Sequence, residues 1–349
     1  MMEPISCPSP HRDSRLVRLG HGSGGRMTAE LIEEIFLPVL GNEILNQLDD
    51  AAIFACDSGQ PLAITTDAYV VSPIFFPGGD IGSLACHGTI NDLSMRGAQP
   101  KYMAASFIIE EGFPLEELKS VVQSFGNACS NALVKVVAAD TKVVGRGAAD
   151  GVFITTTGIG EVIWQPAPAA HRAVPGDLVL VSGDIGRHGM AVMSKREGLD
   201  FESTILSDSA PLFEQVRSLM QAGDRSTHCL RDITRGGLAG VVNELAQSSR
   251  TGIVLDETSI PVESQVGALC EILGLDPLFV ACEGRFVAIV AEQSVERVLS
   301  ALRQCPGAEG TAVIGRVVDS HPGRVVLQSK IGGERLLDKL SGEQLPRIC

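Results

Sequence analysis

A two-domain α/β chain with mixed sheets is what this sequence predicts, on three observations. Apolar runs of strand length alternate with stretches whose apolar residues recur at helical spacing, and they do so in both halves. The composition shifts to Pro and Ala around residues 164–176, where Pro166, Pro168 and Pro175 limit regular structure. Aromatic residues make up only 4% of the 349 positions, so the core falls to Val, Ile, Leu and Ala, which suits strands covered by helices.

Taken in order, residues 1–17 read as a disordered lead broken by Pro4, Pro8 and Pro10. Gly20-His21-Gly22-Ser23-Gly24-Gly25 fits the spacing of a dinucleotide fingerprint but lacks the buried strand that must precede one, so a mobile glycine loop before a helix is expected. Leu31, Ile32, Ile35 and Phe36 mark a helix over 27–37 with one buried face, ended by Pro38. A strand over 62–66 ends on Asp67. Phe76-Pro77-Gly78-Gly79 is a turn, after which Asp80 can cap a helix reaching Asn91 and Asp92. A strand over 102–109 and an amphipathic helix over 115–132 lead to residues 134–138. These read as a buried strand that delivers Asp140, Thr141 and Lys142 at its end. A strand over 151–160 closes the first domain, 18–163.

The second domain, 164–337, alternates again. Strands are expected over 178–181, 253–255, 285–290, 313–318 and 325–327, and helices over 210–220, 238–247, 263–273 and 295–302. Residues 338–349 read as a flexible tail that ends on Cys349.

Bulk properties exclude several classes. The 28 basic against 42 acidic residues give −14, which repels polyphosphate backbones and argues against nucleic acid. The nine cysteines include no Cys-x-x-Cys pair, and their odd number and scatter suit a reducing cytosol. No signal-peptide core and no run of about 20 apolar residues is present, so a soluble cytoplasmic protein is expected, away from any membrane.

Five acidic residues sit at expected element ends: Asp50, Asp67, Asp92, Asp140 and Asp232. One such residue is ordinarily a helix cap, but recurrence beside Thr and Gly turns favours hard oxygen ligation of Mg²⁺ carried by nucleotide phosphates. The P-loop sequence and the protein-kinase signature set are both absent, so ATP would bind by another design. Lys142 lies beside two candidate ligands and can meet a phosphate or a developing negative charge. Glu283, just before an apolar strand, reads on its own as a turn carboxylate; partial burial there would raise its pKa and make it a candidate base. His87, beside Cys86, lacks metal-ligand spacing and reads as structural. A thiol on the final residue needs reach more than activation; Arg347 favours its thiolate and the residue's own α-carboxylate opposes it.

Several motifs carry a resemblance: His21-Gly22-Ser23-Gly24-Gly25, Asp49-Asp50-Ala51-Ala52, Thr66-Asp67-Ala68-Tyr69-Val70-Val71, Phe75-Phe76-Pro77-Gly78-Gly79, Asn91-Asp92-Leu93-Ser94, Asp140-Thr141-Lys142-Val143-Val144, Asp232-Ile233-Thr234-Arg235-Gly236-Gly237 and Pro346-Arg347-Ile348-Cys349. From about Leu19 to Cys349 the chain resembles the HypE family of hydrogenase maturation proteins, within the PurM-like superfamily of aminoimidazole ribonucleotide synthetase.

The resemblance implies two α/β domains, a homodimer through the N-terminal sheets, and ATP in a cleft near that interface. It implies that a carbamoyltransferase, HypF, loads a carboxamide on Cys349. An ATP-dependent dehydratase activity then converts the group to a thiocyanate, whose cyano group passes to a HypC–HypD complex for the iron of NiFe hydrogenase. It matches Lys142 and Glu283 to catalytic positions. Asp50, Asp67, Asn91, Asp92, Asp140, Thr141 and Asp232 fall to the nucleotide, with Asp50, Asp92, Asp140 and Asp232 among the metal ligands. Ala139, Cys282 and Arg285 depart from the family's usual Gly, Asn and Lys. The alternatives are a superfamily sibling that uses ATP on a free small molecule, such as thiamine monophosphate, and a non-catalytic scaffold whose tail pairs by disulfide.

Overall fold

One helix, α3 (Ile81–Met95), is buried on nearly every side, and the two halves of the chain are built around it. Its small residues permit that. A Cβ at Gly88 would fall 2.3 Å from the Tyr69 hydroxyl, and one at Gly82 would fall 2.2 Å from the Val121 carbonyl. Asp80 caps it as the sequence predicts, its carboxylate accepting from the Gly82 and Ser83 amides. The computed structural model describes residues 16–55, 59–198, 205–340, 342, 345 and 347–349. Most of the expected disordered lead lies outside the described residues.

The first half opens with α1 (Arg26–Leu31), a π-helical turn (Ile32–Phe36) and α2 (Leu37–Leu40). The expectation that Pro38 ends this helix fails, because the wider turn just before it brings proline to the start of α2, where its missing N–H costs nothing. The expected buried face is absent too. Ile35 and Phe36 are exposed.

Strands β1 (Ala52–Ala55), β2 (Pro61–Tyr69), the small pair β3 (Phe75–Phe76) and β4 (Gly79–Asp80), β5 (Ala98–Glu110), β6 (Lys135–Val144) and β7 (Val152–Val162) follow. Five of them form a sheet in the order β1-β2-β7-β5-β6. It is antiparallel except where α4 (Leu115–Asn131) carries the chain across from β5 to a parallel β6. One face of this sheet packs on α3 and α4 through Met103, Phe107, Ile154 and Phe125.

The 134–138 segment is not the buried strand its Val and Ala content predicts. β6 is the sheet's edge and is exposed from Lys135 through Val143. Apolar content sets strand propensity, whereas burial depends on which neighbour covers the strand.

The second half holds β8 (Leu178–Val181), β9 (Thr227–Asp232), β10 (Gly252–Asp256), β11 (Phe286–Val290), β12 (Ala312–Val318), β13 (Val325–Gln328) and β14 (Glu334–Leu336). They form one sheet in the order β14-β13-β10-β12-β8-β11-β9, parallel only between β10 and β13. Helix α5 (Arg187–Arg196) precedes α6 (Phe213–Gly223), α7 (Gly237–Ser249), α8 (Ser264–Leu273) and α9 (Val295–Leu302). On one face, α7 covers Val179, Cys229 and Val287; on the other, α6 and α9 cover Leu180, Leu230 and Phe286. This is a mixed α/β fold, as the sequence predicts. Among the described residues no helix is long and apolar enough to cross a membrane.

The tail is not loosely packed. Ile348 is 3% exposed and, with Leu345 and Cys349, joins the core formed by α3, α4 and the first sheet.

Phe286, fully buried on β11 between β8 and β9, sets the scale of core packing. Phe286→Ala is expected to lower unfolding free energy by about 3–5 kcal/mol, read from the denaturant midpoint at unchanged slope. Ile331→Ala, at a residue 95% exposed, should stay within about 0.5 kcal/mol of the parent.

Candidate active site

The second sheet ends its β9 on Asp232, and the next residues turn through Gly236 and Gly237, both at positive φ, into α7. A Cβ at Gly237 would meet the Leu278 carbonyl at 2.6 Å, so this turn demands glycine. α3 brings Asp92 and the loop before β1 brings Asp50. Carboxylate oxygens of Asp50, Asp92 and Asp232 lie within 4.8 Å of one another.

Arg231, a residue sequence reasoning passed over, ties this group together. It bonds Asp50 Oδ1 at 2.8 Å, Glu244 Oε2 at 2.9 Å and the Leu48 carbonyl at 2.9 Å. Asp49 is not a ligand but pairs with the buried Arg96. Thr65 Oγ1 donates to Asp92 at 2.7 Å and Thr89 Oγ1 to Asp67 at 3.2 Å.

Burial and like charge dominate the electrostatics. Burial pushes Asp50 up to about 7 even though Arg231 opposes it. Asp92 is raised by burial and then by Asp67 and Asp232, and Asp232 by burial and then by Asp50. Three carboxylates this close cannot all ionise without a cation. An all-oxygen carboxylate set of this spacing fits Mg²⁺.

Of the four expected metal ligands, three come together and Asp140 does not. Cross-strand register sets Asp140 level with Ser106, Thr155 and Ala68, on the sheet face opposite Asp67 and three strands away, about 14 Å. Lys142 shares that face and Thr141 has the other; all three are exposed. Asn91 is not available to a nucleotide either. Its amide, 1% exposed, donates to the carbonyls of Ala210 and Glu283 and accepts from the Leu212 amide at 2.8 Å, so it fastens α3 to the Glu283 loop.

Beside the aspartates lies the final residue. Cys349 meets the Glu283 carboxyl, with Arg235 and Asp67 as charged neighbours. Its thiol is raised by burial and by Glu283, so it is held protonated. Glu283 is 3% exposed and raised by burial, then by Asp232 and Asp208. Its amide donates to Asp208 Oδ1 at 2.9 Å. Arg235, not Arg347, supplies the nearby positive charge; Arg347 turns away to Asp150 and the Val70 carbonyl.

The glycine loop packs into this arrangement rather than standing free. Arg235 Nη1 donates to the Gly22 carbonyl at 3.0 Å, and the Arg26 amide to the Leu340 carbonyl at 2.9 Å. Two of the departures have local explanations. Cys282 Sγ accepts from the Gly186 amide at 3.1 Å, and Arg285 pairs with Asp184 at 2.8 Å.

The tail is held mainly by its backbone. The Arg347 carbonyl accepts from the Ser72 amide at 3.1 Å and from Arg196 Nη2 at 2.9 Å. The Ile348 carbonyl lies 2.9 Å from His188 Nε2, and His188 Nδ1 lies 2.8 Å from Ser207 Oγ. A cavity of about 20 Å³ remains between Arg235, Gly236, Leu345 and Ile348.

Comparison with known proteins agrees with this layout. Residues 48–162 match the N-terminal domain of AIR synthase related proteins and residues 174–328 match the C-terminal domain. A carbamoyl dehydratase HypE from Cupriavidus necator is 51% identical over 333 residues, 95% of each chain. This chain belongs to the HypE family. A HypE solved in complex with ATP is 47% identical, covers 96% of this chain and 100% of its own, and superposes with a TM-score of 0.81. A HypE solved in a HypE–HypF complex is 44% identical over 89% of this chain and 99% of its own, with a TM-score of 0.84. Within this HypE-family fold, the Asp cluster and Cys349 fall at the seam between the two matched domains.

Two histidines at this seam carry a pH signature. Burial lowers His87 and His188 to about 4, below the 6.5 of a free imidazole. The unfolded chain therefore takes up protons that the folded chain refuses, so their contribution to stability is lost as pH falls from about 6.5 to 4. The stability advantage of the parent over His87→Asn should shrink by up to roughly 3 kcal/mol across that range, measured by urea unfolding at both ends. A constant difference would exclude a buried neutral imidazole.

Proposed function

We propose that this chain uses ATP to dehydrate a carbamoyl group carried on its own Cys349 sulfur, leaving a thiocyanate that supplies the cyanide ligand of a NiFe hydrogenase iron. The observation that carries this reading is the docked tail. The final thiol lies against a buried carboxyl, next to three carboxylates that fit a divalent cation. A kinase acting on a free small molecule has no use for that contact, and a scaffold has no use for the buried carboxylates.

An amide oxygen leaves poorly, and phosphorylation makes it a good leaving group. The amide oxygen attacks the γ-phosphorus and ADP departs; phosphate then leaves with that oxygen while the nitrogen loses both protons, giving S–C≡N. Glu283 accepts one of those protons, for which its raised pKa makes it a strong base once ionised. Arg235 faces the negative charge that builds at the tail. Asp50, Asp92 and Asp232 would hold a Mg²⁺, which would supply the positive charge that offsets these carboxylates and the nucleotide phosphates. Cys349 is protonated when docked and so a weak nucleophile. That agrees with acquiring its carboxamide elsewhere, from a carbamoyltransferase of the HypF type; the proposed acceptor of the cyano group is a HypC–HypD complex.

Asp140, Thr141 and Lys142 enter this reading through a second copy. They stand on an exposed edge strand, and Asp140 and Lys142 share their face with the exposed Tyr102 and Ile108, apolar surface that pairing of two N-terminal sheets would cover. A homodimer then supplies Lys142 to the partner's site. The seven described cysteines are all free, in keeping with a cytoplasmic location.

Mass spectrometry of the C-terminal peptide tests the chemistry. After incubation with a carbamoyl donor system, Cys349 should gain a carbamoyl group, and with Mg-ATP that group should lose one water. Glu283→Gln should retain the carbamoyl form, slowed by about 10²–10⁴-fold. An unmodified Cys349 in the parent overturns the reading.

The shared site makes a separate prediction. Lys142→Ala and Glu283→Gln, each inactive alone, should recover about a quarter of parental activity when co-refolded, because half of random pairs are mixed and each holds one intact site. No recovery would place Lys142 in its own chain's site or outside the reaction.

A further inference from the structure

The Phe76-Pro77-Gly78 turn, singled out in the sequence and given no role by the chemistry above, packs on the segment that faces the tail. We propose that this turn, Ser207 and His188 form a dock for the backbone of the tail, with His188 as the positioning residue that holds the Ile348 carbonyl and so sets Cys349 against Glu283. The inference rests on the proposed reaction at Cys349 and assigns that site a further residue.

The donor and acceptor order is fixed by chemistry. A carbonyl only accepts, so the hydrogen of the neutral ring sits on Nε2 and is given to Ile348 at 2.9 Å. That leaves Nδ1 bare, and the Ser207 hydroxyl donates to it at 2.8 Å while accepting from the Ser209 amide at 3.1 Å. The three bonds run in one direction and polarise one another. Burial holds the imidazole pKa near 4, so the ring stays neutral and keeps this tautomer.

The turn explains why Ser207 is in place. Its amide donates to the Pro77 carbonyl at 2.8 Å. Gly78, at φ +90, passes so close that a Cβ there would fall 2.7 Å from the Ser207 nitrogen. The Phe76 ring meets His188 edge-on, with centroids 5.2 Å apart.

Ser207 is followed by Asp208, whose Oδ1 accepts the Glu283 amide at 2.9 Å. Adjacent residues thus fix the tail carbonyl and the candidate base. Every polar contact made to Arg347 and Ile348 by His188, Ser72 and Arg196 reaches a main-chain oxygen. The dock therefore serves the tail equally with a bare or a loaded sulfur.

Alkylation of Cys349 by iodoacetamide, followed on its own peptide in the folded full-length protein, reads docking directly. His188→Ala should alkylate about five- to tenfold faster than the parent, the factor expected for one lost buried hydrogen bond. His188→Gln keeps an N–H at similar reach and should restore most of the protection, which a merely space-filling role would not require. Ser207→Ala, a smaller change, should give about threefold and decides the matter if His188→Ala does not fold. Parental alkylation rates in folded His188→Ala or Ser207→Ala overturn the dock.

In single turnover with carbamoyl-loaded protein, the dehydration rate should fall with the docked fraction while the KM for ATP stays put. If alkylation quickens but dehydration keeps its parental rate, the dock stands and the proposed reaction on the protein's own tail falls.

Discussion

Five carboxyl groups, Asp50, Asp67, Asp92, Asp232 and Glu283, are buried where the two sheets meet, and their mutual repulsion governs the site. Each is raised above its ordinary value, with burial as the largest cause. Two arginines, Arg231 and Arg235, stand at opposite ends of the group and offset part of the charge. A fold holds such a group only if rigid elements force it together. Here α3, pinned on all sides, presents Asp92, and the end of β9 presents Asp232. The remaining mismatch between charge and countercharge favours a divalent cation bearing phosphates, and it suppresses ionisation of any thiol brought alongside.

Much of this was legible in the residues. Asp80 as a cap, the amphipathic α4 and the Asp-x-Thr-Arg-Gly-Gly turn follow local rules that tertiary contacts did not override. What failed has identifiable causes. The Val and Ala run at 134–138 reads as core, but β6 has a neighbour on one side only. α5 was missed because Gly189 interrupts it and its buried face includes His188, so no apolar period is visible. Arg231 was missed because a basic residue within an alternating strand reads as solvent-facing, whereas this one meets Asp50 and Glu244. Glu283 was singled out through the family resemblance, since its position before a strand alone reads as a turn carboxylate. Its link to Asn91, Asp208 and Cys349 depends on contacts across most of the chain, which no spacing encodes.

The same distinction separates the cluster from Asp140 and Lys142. Strand register is rigid, and a one-residue change in phase moves a side chain to the other face. Asp140 and Lys142 are out of phase with Asp67, and the open face on which they stand carries apolar residues with nothing over them in one chain. Chemistry that needs both groups is thereby divided between surfaces. The proposed homodimer would reunite them without any rearrangement of either core.

Docking by main-chain contacts sets how firmly the tail is held. Three such hydrogen bonds, from Ser72, Arg196 and His188, contribute about 1 kcal/mol each, or roughly 3 kcal/mol before the cost of ordering the segment. Burial of Ile348 adds about 1.5–3 kcal/mol. The ordering of several residues opposes this at about 1 kcal/mol or more each, so docked and undocked states differ by little. On the proposed reaction, a much tighter seat would deny the sulfur to a partner, and a looser one would let water compete for the activated amide. Recognition through backbone atoms suits that balance, since it is independent of the cargo and leaves residence in the cleft to be tuned by His188 and its neighbours.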